Sequence, residues 1–202
     1  MKKIGILGGS FDPVHCGHLL LSRAVAEACK FDQIMLMPAS KAPHKKRGTF
    51  ATATERLNML QLAVRNDPLF QINTLELDRG AISYTIDTLR ALRADHPDYA
   101  YYFIIGMDSL LELHSWKQIL DLLNLCTFVT VARPGVNHPL NIDDLMLPKS
   151  QAQKLLDNII KTPVWEISSS NIRERIAKRL SIRYLVPEAV EDYILKTGVY
   201  SC

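Results

Sequence analysis

Two imidazoles stand next to a glycine turn near the start of this chain, in the stretch Gly8-Gly9-Ser10-Phe11-Asp12-Pro13-Val14-His15-Cys16-Gly17-His18. An apolar run, Ile4 to Leu7, precedes the stretch, and a helical pattern, Leu19 to Cys29, follows it. Strand, glycine turn and helix start in that order suit an anion. Glycines let the backbone approach a ligand without a Cβ collision. A helix start offers N–H groups and the positive end of a dipole. His15 and His18 share one face of a first helical turn. Imidazoles there can donate hydrogen bonds and carry charge near neutral pH. A glycine turn after a first strand also occurs in ordinary α/β proteins, and His-x-x-His also opens some metal sites. No cysteine pair or carboxylate cluster completes a metal set here.

A second pattern lies near the other end, Ile167-Ser168-Ser169-Ser170-Asn171-Ile172-Arg173. Serine favours a helix N-cap, and Arg173 falls one turn inside. Taken alone, the pattern fits equally a capped amphipathic helix and a second anion site built from hydroxyls and a guanidinium. Other phosphate fingerprints are missing. There is no G-x-x-x-x-G-K-[ST], and Gly5, Gly8 and Gly9 do not make G-x-G-x-x-G.

The elements that must position these residues alternate along the chain. Candidate strands are Lys3–Leu7, Gln33–Met37, Gln71–Leu77, Tyr101–Ile105, Phe128–Ala132 and Val164–Ile167. Candidate helices are His18–Cys29, Thr54–Asn66, Thr85–His96, Ser115–Asn124 and Ser169–Lys178, with Glu188–Lys196 as a small C-terminal helical cap. Pro134–Pro148 reads as loop. Runs such as Ile34-Met35-Leu36-Met37 imply strands buried on both faces. The pattern predicts an α/β fold, a doubly wound parallel sheet with ligands at the carboxyl ends of its strands.

The 202 residues fit one domain spanning 1–202. A net charge of +3 does not suggest a general nucleic-acid binder. Four cysteines, Cys16, Cys29, Cys126 and Cys202, show no framework and read as free thiols in a reducing compartment. No apolar stretch is long enough for a membrane span, and the N-terminal run breaks at glycines too early for a secretion signal. The expectation is a cytoplasmic enzyme.

G-G-S-F-D-P-V-H-x-G-H together with I-S-S-S-N-I-R resembles the nucleotidyltransferase superfamily and, more narrowly, the bacterial nicotinate-nucleotide adenylyltransferases. The resemblance runs from Met1 to the closing V-P-E-A-V-E-D-Y-I and G-V-Y. It implies a Rossmann-like nucleotidyltransferase fold. It implies that Gly8, Gly9, Ser10, Phe11, His15, His18, Ser169, Ser170 and Arg173 bind ATP, with His15, His18 and Arg173 catalytic. The family more often carries Thr where Ser170 stands, and the hydroxyl is kept.

Further segments match the family at its acceptor side. The P-H-K of the Pro38–Lys45 loop implies that His44 and Lys45 reach substrate phosphates. Ser83-Tyr84-Thr85, opening S-Y-T-x-D-T-L, is implied to receive the pyridine carboxylate. Gly106, Asp108 and Trp116 match G-x-D-x₇-W, and Arg133 matches A-R-P-G. Glu55 and Arg56 match an E-R pair whose role is not separable from a structural one.

The resemblance implies ATP-dependent adenylyl transfer to nicotinate mononucleotide, giving deamido-NAD and pyrophosphate in NAD biosynthesis, with Mg²⁺ accompanying ATP and no protein metal site. A nucleotide phosphate is already a charged oxygen nucleophile, its second pKa lying at about 6. Catalysis then needs positioning and charge neutralisation and no nucleophile–base pair. A related transferase acting on nicotinamide mononucleotide or phosphopantetheine, a non-catalytic nucleotide-binding domain and an oxidoreductase are the competing readings. No nucleic-acid or membrane partner is expected, and monomer and homo-oligomer stay equally open.

Overall fold

Six strands alternate with helices in a computed structural model that describes residues 1–41, 49–132, 140–163 and 165–201. The strands are β1 (Lys3–Gly9), β2 (Gln33–Pro38), β3 (Phe70–Ile72), β4 (Ala100–Gly106), β5 (Thr127–Ala132) and β6 (Ile159–Lys161). Their order in the sheet is β3-β2-β1-β4-β5-β6. β1 pairs parallel with β4, β4 with β5, and β5 with β6. That order reverses direction after β1, which defines a doubly wound Rossmann-like sheet. Ile4, Ile6, Leu36, Phe103, Ile104, Phe128 and Val129 are all buried on neighbouring strand positions. Burial of successive residues means both sheet faces are covered, as the continuous apolar runs require.

The helices are α1 (Cys16–Cys29), α2 (Ala53–Val64), α3 (Leu75–Arg79), α4 (Thr85–Asp95), α5 (Met107–Leu111), α6 (Ile119–Leu125), α7 (Lys149–Asp157), α8 (Ser169–Ala177) and α9 (Glu188–Thr197). Among the described residues, no helix is long and apolar enough to cross a membrane. The chain divides into two units. One comprises Met1–Leu7, Arg23–Met35 and Tyr84–Val164; the other comprises Gly8–Ser22, Leu36–Ser83 and Trp165–Cys202. The second unit holds both motifs, and α2 packs there on α9, so the expected C-terminal cap is a helix with buried Val190 and Ile194.

Three expectations are corrected. The strand expected over Gln71–Leu77 stops at Ile72. Asn73 Oδ1 accepts the Leu75 N–H at 2.9 Å, and this turn starts α3, which ends at Gly80 with φ 66°. Of the strand expected over Val164–Ile167, the described residues 165–167 are not strand; among the described residues the last strand is Ile159–Lys161, and α7 precedes it where no helix was expected. The helix expected over Ser115–Asn124 is split. A 3-10 turn covers Leu113–Ser115, Trp116 is extended, and Gln118 at φ 52° sets the start of α6.

Candidate active site

The glycine-rich stretch runs from the end of β1 into α1, as the sequence demands. Phe11 turns the chain with φ 47° and is buried. Its ring edge meets His18 at 5.0 Å between centroids. His15 and His18 stack, with ring centroids 3.6 Å apart and 24° between planes. The His15 backbone N–H donates to His18 Nδ1 at 3.2 Å. In the neutral ring of His18 the proton therefore sits on Nε2, which makes that atom a donor. His15 is 6% exposed, and burial pushes its pKa down to about 4. A neutral His15 can donate a hydrogen bond but carries no charge at pH 7, which narrows the sequence expectation of a charged pair.

Gly17 shows why the motif has no side chain between its histidines. A Cβ there would stand 3.0 Å from His15 Nδ1, 3.2 Å from His15 Cε1 and 3.3 Å from Ile167 Cβ. Two of the amides at the start of α1 are already used: Cys16 N–H donates to the Leu185 carbonyl at 2.9 Å and His18 N–H to the His15 carbonyl at 3.0 Å.

The second motif is bound to the first within the same unit. Ser168 caps α8, its side chain accepting the Asn171 N–H. Ser169 Oγ donates to the Pro13 carbonyl at 2.8 Å. Arg173 Nη1 donates to the Asp12 carbonyl, and Nη2 donates to Ser170 Oγ at 3.2 Å. Ser169 thus spends its single proton docking α8 on the glycine-rich stretch.

Asp12 was missed by the sequence reading, although it stands inside the fingerprint. It is buried, and its carboxylate accepts the N–H groups of Phe50 at 2.8 Å and Ala51 at 3.0 Å and the Tyr200 hydroxyl at 2.8 Å. An acidic residue flanked by Phe and Pro, with no basic neighbour in sequence, was the available signal. Arg56 and Glu55 resolve into structural roles. Arg56 is fully buried, and its Nη1 donates to the carbonyls of Ser10 at 2.7 Å and Ala39 at 3.0 Å. Burial weighs against its charge, and the nearby Asp12 carboxylate favours it. Glu55 closes a capping box with Thr52 at the start of α2.

Ser83, the last residue of the second unit's middle segment, is buried, and its Oγ accepts the Ser40 N–H at 3.2 Å. The other acceptor-side candidates belong to the first unit. Tyr84 is the N-cap position of α4, and Thr85 is its first residue. Lys117 Nζ lies 4.4 Å from the centre of the Tyr84 ring and 3.1 Å from Asp87 Oδ2, which joins the start of α4 to the Trp116 segment. Trp116 stands edge-on to Phe103 and Phe128, each at 6.0 Å between centroids. Gly106, at the carboxyl end of β4, is open to space where a Cβ would point. Asp108 is exposed in the first turn of α5. His44, Lys45 and Arg133 lie outside the described residues.

Comparison with known proteins meets this geometry from the other side. The sequence pattern of the cytidylyltransferase-like family matches residues 6–175, a range that contains both motifs. Fold and motifs together are those of a nucleotidyltransferase. A relative from Geobacillus thermodenitrificans, named "Probable nicotinate-nucleotide adenylyltransferase", is 44% identical over 200 residues, covering 99% of this chain and 87% of its own. One of the same name from Bacillus cytotoxicus is 41% identical over 200 residues, covering 99% of each chain. The solved structure of Plasmodium falciparum nicotinic acid mononucleotide adenylyltransferase complexed with NaAD has a TM-score of 0.77 at 23% identity, over 99% of this chain and 98% of that one; the likeness is one of fold. The chain belongs to the nicotinate-nucleotide adenylyltransferase family.

Proposed function

We propose that this chain transfers the adenylyl group of MgATP to nicotinate mononucleotide, forming deamido-NAD and releasing pyrophosphate. The observation that carries the reading is the docking of α8 on the glycine-rich stretch through Ser169–Pro13 and Arg173–Asp12, which sets two imidazoles and a guanidinium in one unit. The relatives' name and the solved complex with NaAD support the acceptor.

The residues take these roles. Gly8, Gly9, Ser10 and Phe11 shape the turn beside the triphosphate. His15 and His18 donate to the reacting phosphates, and His18 Nε2–H meets the charge that develops on them. Arg173 neutralises the departing pyrophosphate, with Ser170 as its neighbour. An oxygen of the mononucleotide phosphate attacks the α-phosphorus, and the bond to the bridging oxygen of pyrophosphate breaks. Among the described residues, no group of three or more His, Cys, Asp and Glu could hold a metal. Magnesium arrives as part of the substrate, held by phosphates and water. Ser83, Tyr84 and Thr85, with Gly106, Asp108 and Trp116, take the acceptor; the Thr85 amide and hydroxyl meet the pyridine carboxylate, and Asp108 accepts from ribose. His44, Lys45 and Arg133 add charge for substrate phosphates. The whole chain acts as one enzyme domain in a reducing cytoplasm, where free thiols such as Cys16 and Cys29 persist.

Pyrophosphate release with MgATP and nicotinate mononucleotide, nicotinamide mononucleotide or phosphopantetheine tests the reading. Fast release with nicotinate mononucleotide alone is expected. Release only with another acceptor would overturn the roles of Ser83–Thr85 and Trp116, and no release at all would overturn the transferase reading.

A further inference from the structure

Asp12 and Tyr200 stand 188 residues apart in sequence, and the Tyr200 hydroxyl donates to Asp12 Oδ1 at 2.8 Å. The carboxylate is then fully engaged on that side, since Oδ1 also accepts the Ala51 N–H. Its other oxygen, Oδ2, accepts the Phe50 N–H at 2.8 Å and lies 4.0 Å from Arg173 Nη1. Arg173 itself is committed to the Asp12 main-chain carbonyl, and its Cζ lies over Phe50, 4.3 Å from the ring centre. The guanidinium therefore sits at the outer limit of ion-pair contact with a buried carboxylate that other donors also satisfy.

We propose that Tyr200 is a positioning residue for Arg173, acting through Asp12: its hydroxyl completes the donors on the carboxylate and so keeps the guanidinium from closing further onto it and away from phosphate. Without the hydroxyl, a buried carboxylate short of a donor draws more strongly on Arg173, which among the described residues is the cation within ion-pair distance of it. Two further observations fit. Tyr200 is held at φ 72°, a left-handed conformation that costs an aromatic residue energy and persists only where surroundings over-determine it. Burial and the Asp12 charge both push the phenol pKa up, so the hydroxyl stays a donor at every working pH. The proposal rests on the reading of Arg173 as a triphosphate ligand.

The test is a double-mutant cycle in the full chain, with Y200F, R173A and the pair, read as kcat/KM for ATP and KM for nicotinate mononucleotide. Y193F serves as control, because the Tyr193 hydroxyl lies on α9 and faces Asn58, not Asp12. Expected are a fall of about tenfold in kcat/KM for ATP with Y200F, an unchanged KM for nicotinate mononucleotide, and less than a twofold further effect of Y200F in the R173A background. The same loss in both backgrounds, no loss with Y200F, or an equal loss with Y193F would overturn the proposal and leave Arg173's role intact. Normal kcat/KM in R173A would instead overturn the Arg173 reading itself, and the proposal with it. Calorimetric titration with inorganic triphosphate repeats the cycle without turnover: weaker binding by Y200F only where Arg173 is present supports it, and equal weakening in both backgrounds overturns it.

Discussion

The His15 main-chain N–H points at Nδ1 of His18 while the two rings lie face to face at 3.6 Å. One residue of the pair thereby fixes the tautomer of the other. His18→Ala removes an imidazole donor and little of the core, since His18 is only half-buried. We expect kcat to fall by about two to three powers of ten, the range for a lost transition-state donor, with a small change in melting temperature. Stopped-assay pyrophosphate release and a thermal melt on the same sample check this, and near-normal kcat would sink the role given to His18.

His15 makes stability sensitive to acid. Its imidazole takes up a proton near pH 6.5 when unfolded and only near 4 when folded. Between those values the unfolded state binds more protons, so stability falls as pH drops from 6.5 to 4 and is unaffected above. The full contribution is about 3 kcal/mol. Urea unfolding of the wild type and His15→Asn at pH 7, 5.5 and 4.5 measures it; the variant should lose that part of the slope, and parallel curves would contradict the burial argument.

Two glycines should respond oppositely to the same added methyl. Gly17→Ala places a Cβ against His15 and Ile167, so stability should fall by about 1–3 kcal/mol and turnover with it. Gly106→Ala meets nothing and should keep stability within about 0.5 kcal/mol. If the mononucleotide approaches the end of β4, Gly106→Ala raises its KM while leaving KM for ATP alone.

Arg56 should behave as a fold residue. Replacing it with Met leaves the Ser10 and Ala39 carbonyls without their shared donor, at a cost of about 2–4 kcal/mol. A urea midpoint reads the cost. Kinetics of the folded fraction should stay within severalfold of wild type; a selective loss of kcat in a fully stable variant would make Arg56 part of the chemistry.

Much of this arrangement was legible from residue order. The glycine turn, the paired histidines and the Ser-Ser-Ser-Asn-Ile-Arg run are local patterns, and the continuous apolar runs of β1, β2, β4 and β5 announce strands buried on both faces. What escaped was set by neighbours or by single turns. β6 is three residues long and not fully buried, so it lacked the apolar weight of the Val164–Ile167 run. Pro163, which has no N–H to give a ladder, stands immediately before that run. Leu75-Glu76-Leu77 alternates like a strand, yet the Asn73 side chain starts a helix there. Asp12 and Tyr200 gain meaning only from being in contact, and no local pattern records a partner 188 residues away.

That separation bears on how the molecule is made. The glycine-rich stretch emerges from the ribosome early, but three of the groups that fix it, Ser169, Arg173 and Tyr200, arrive 156, 161 and 188 residues behind their partners. A nascent chain can gather the β1 strand and α1 helix soon after synthesis and fasten the glycine-rich stretch to Phe50, Ala51 and Arg56, while the contacts from Ser169, Arg173 and Tyr200 wait until those residues are translated. The last contacts on the glycine-rich stretch thus come from the final part of the chain, so a chain that stops short of Ser169 lacks all three.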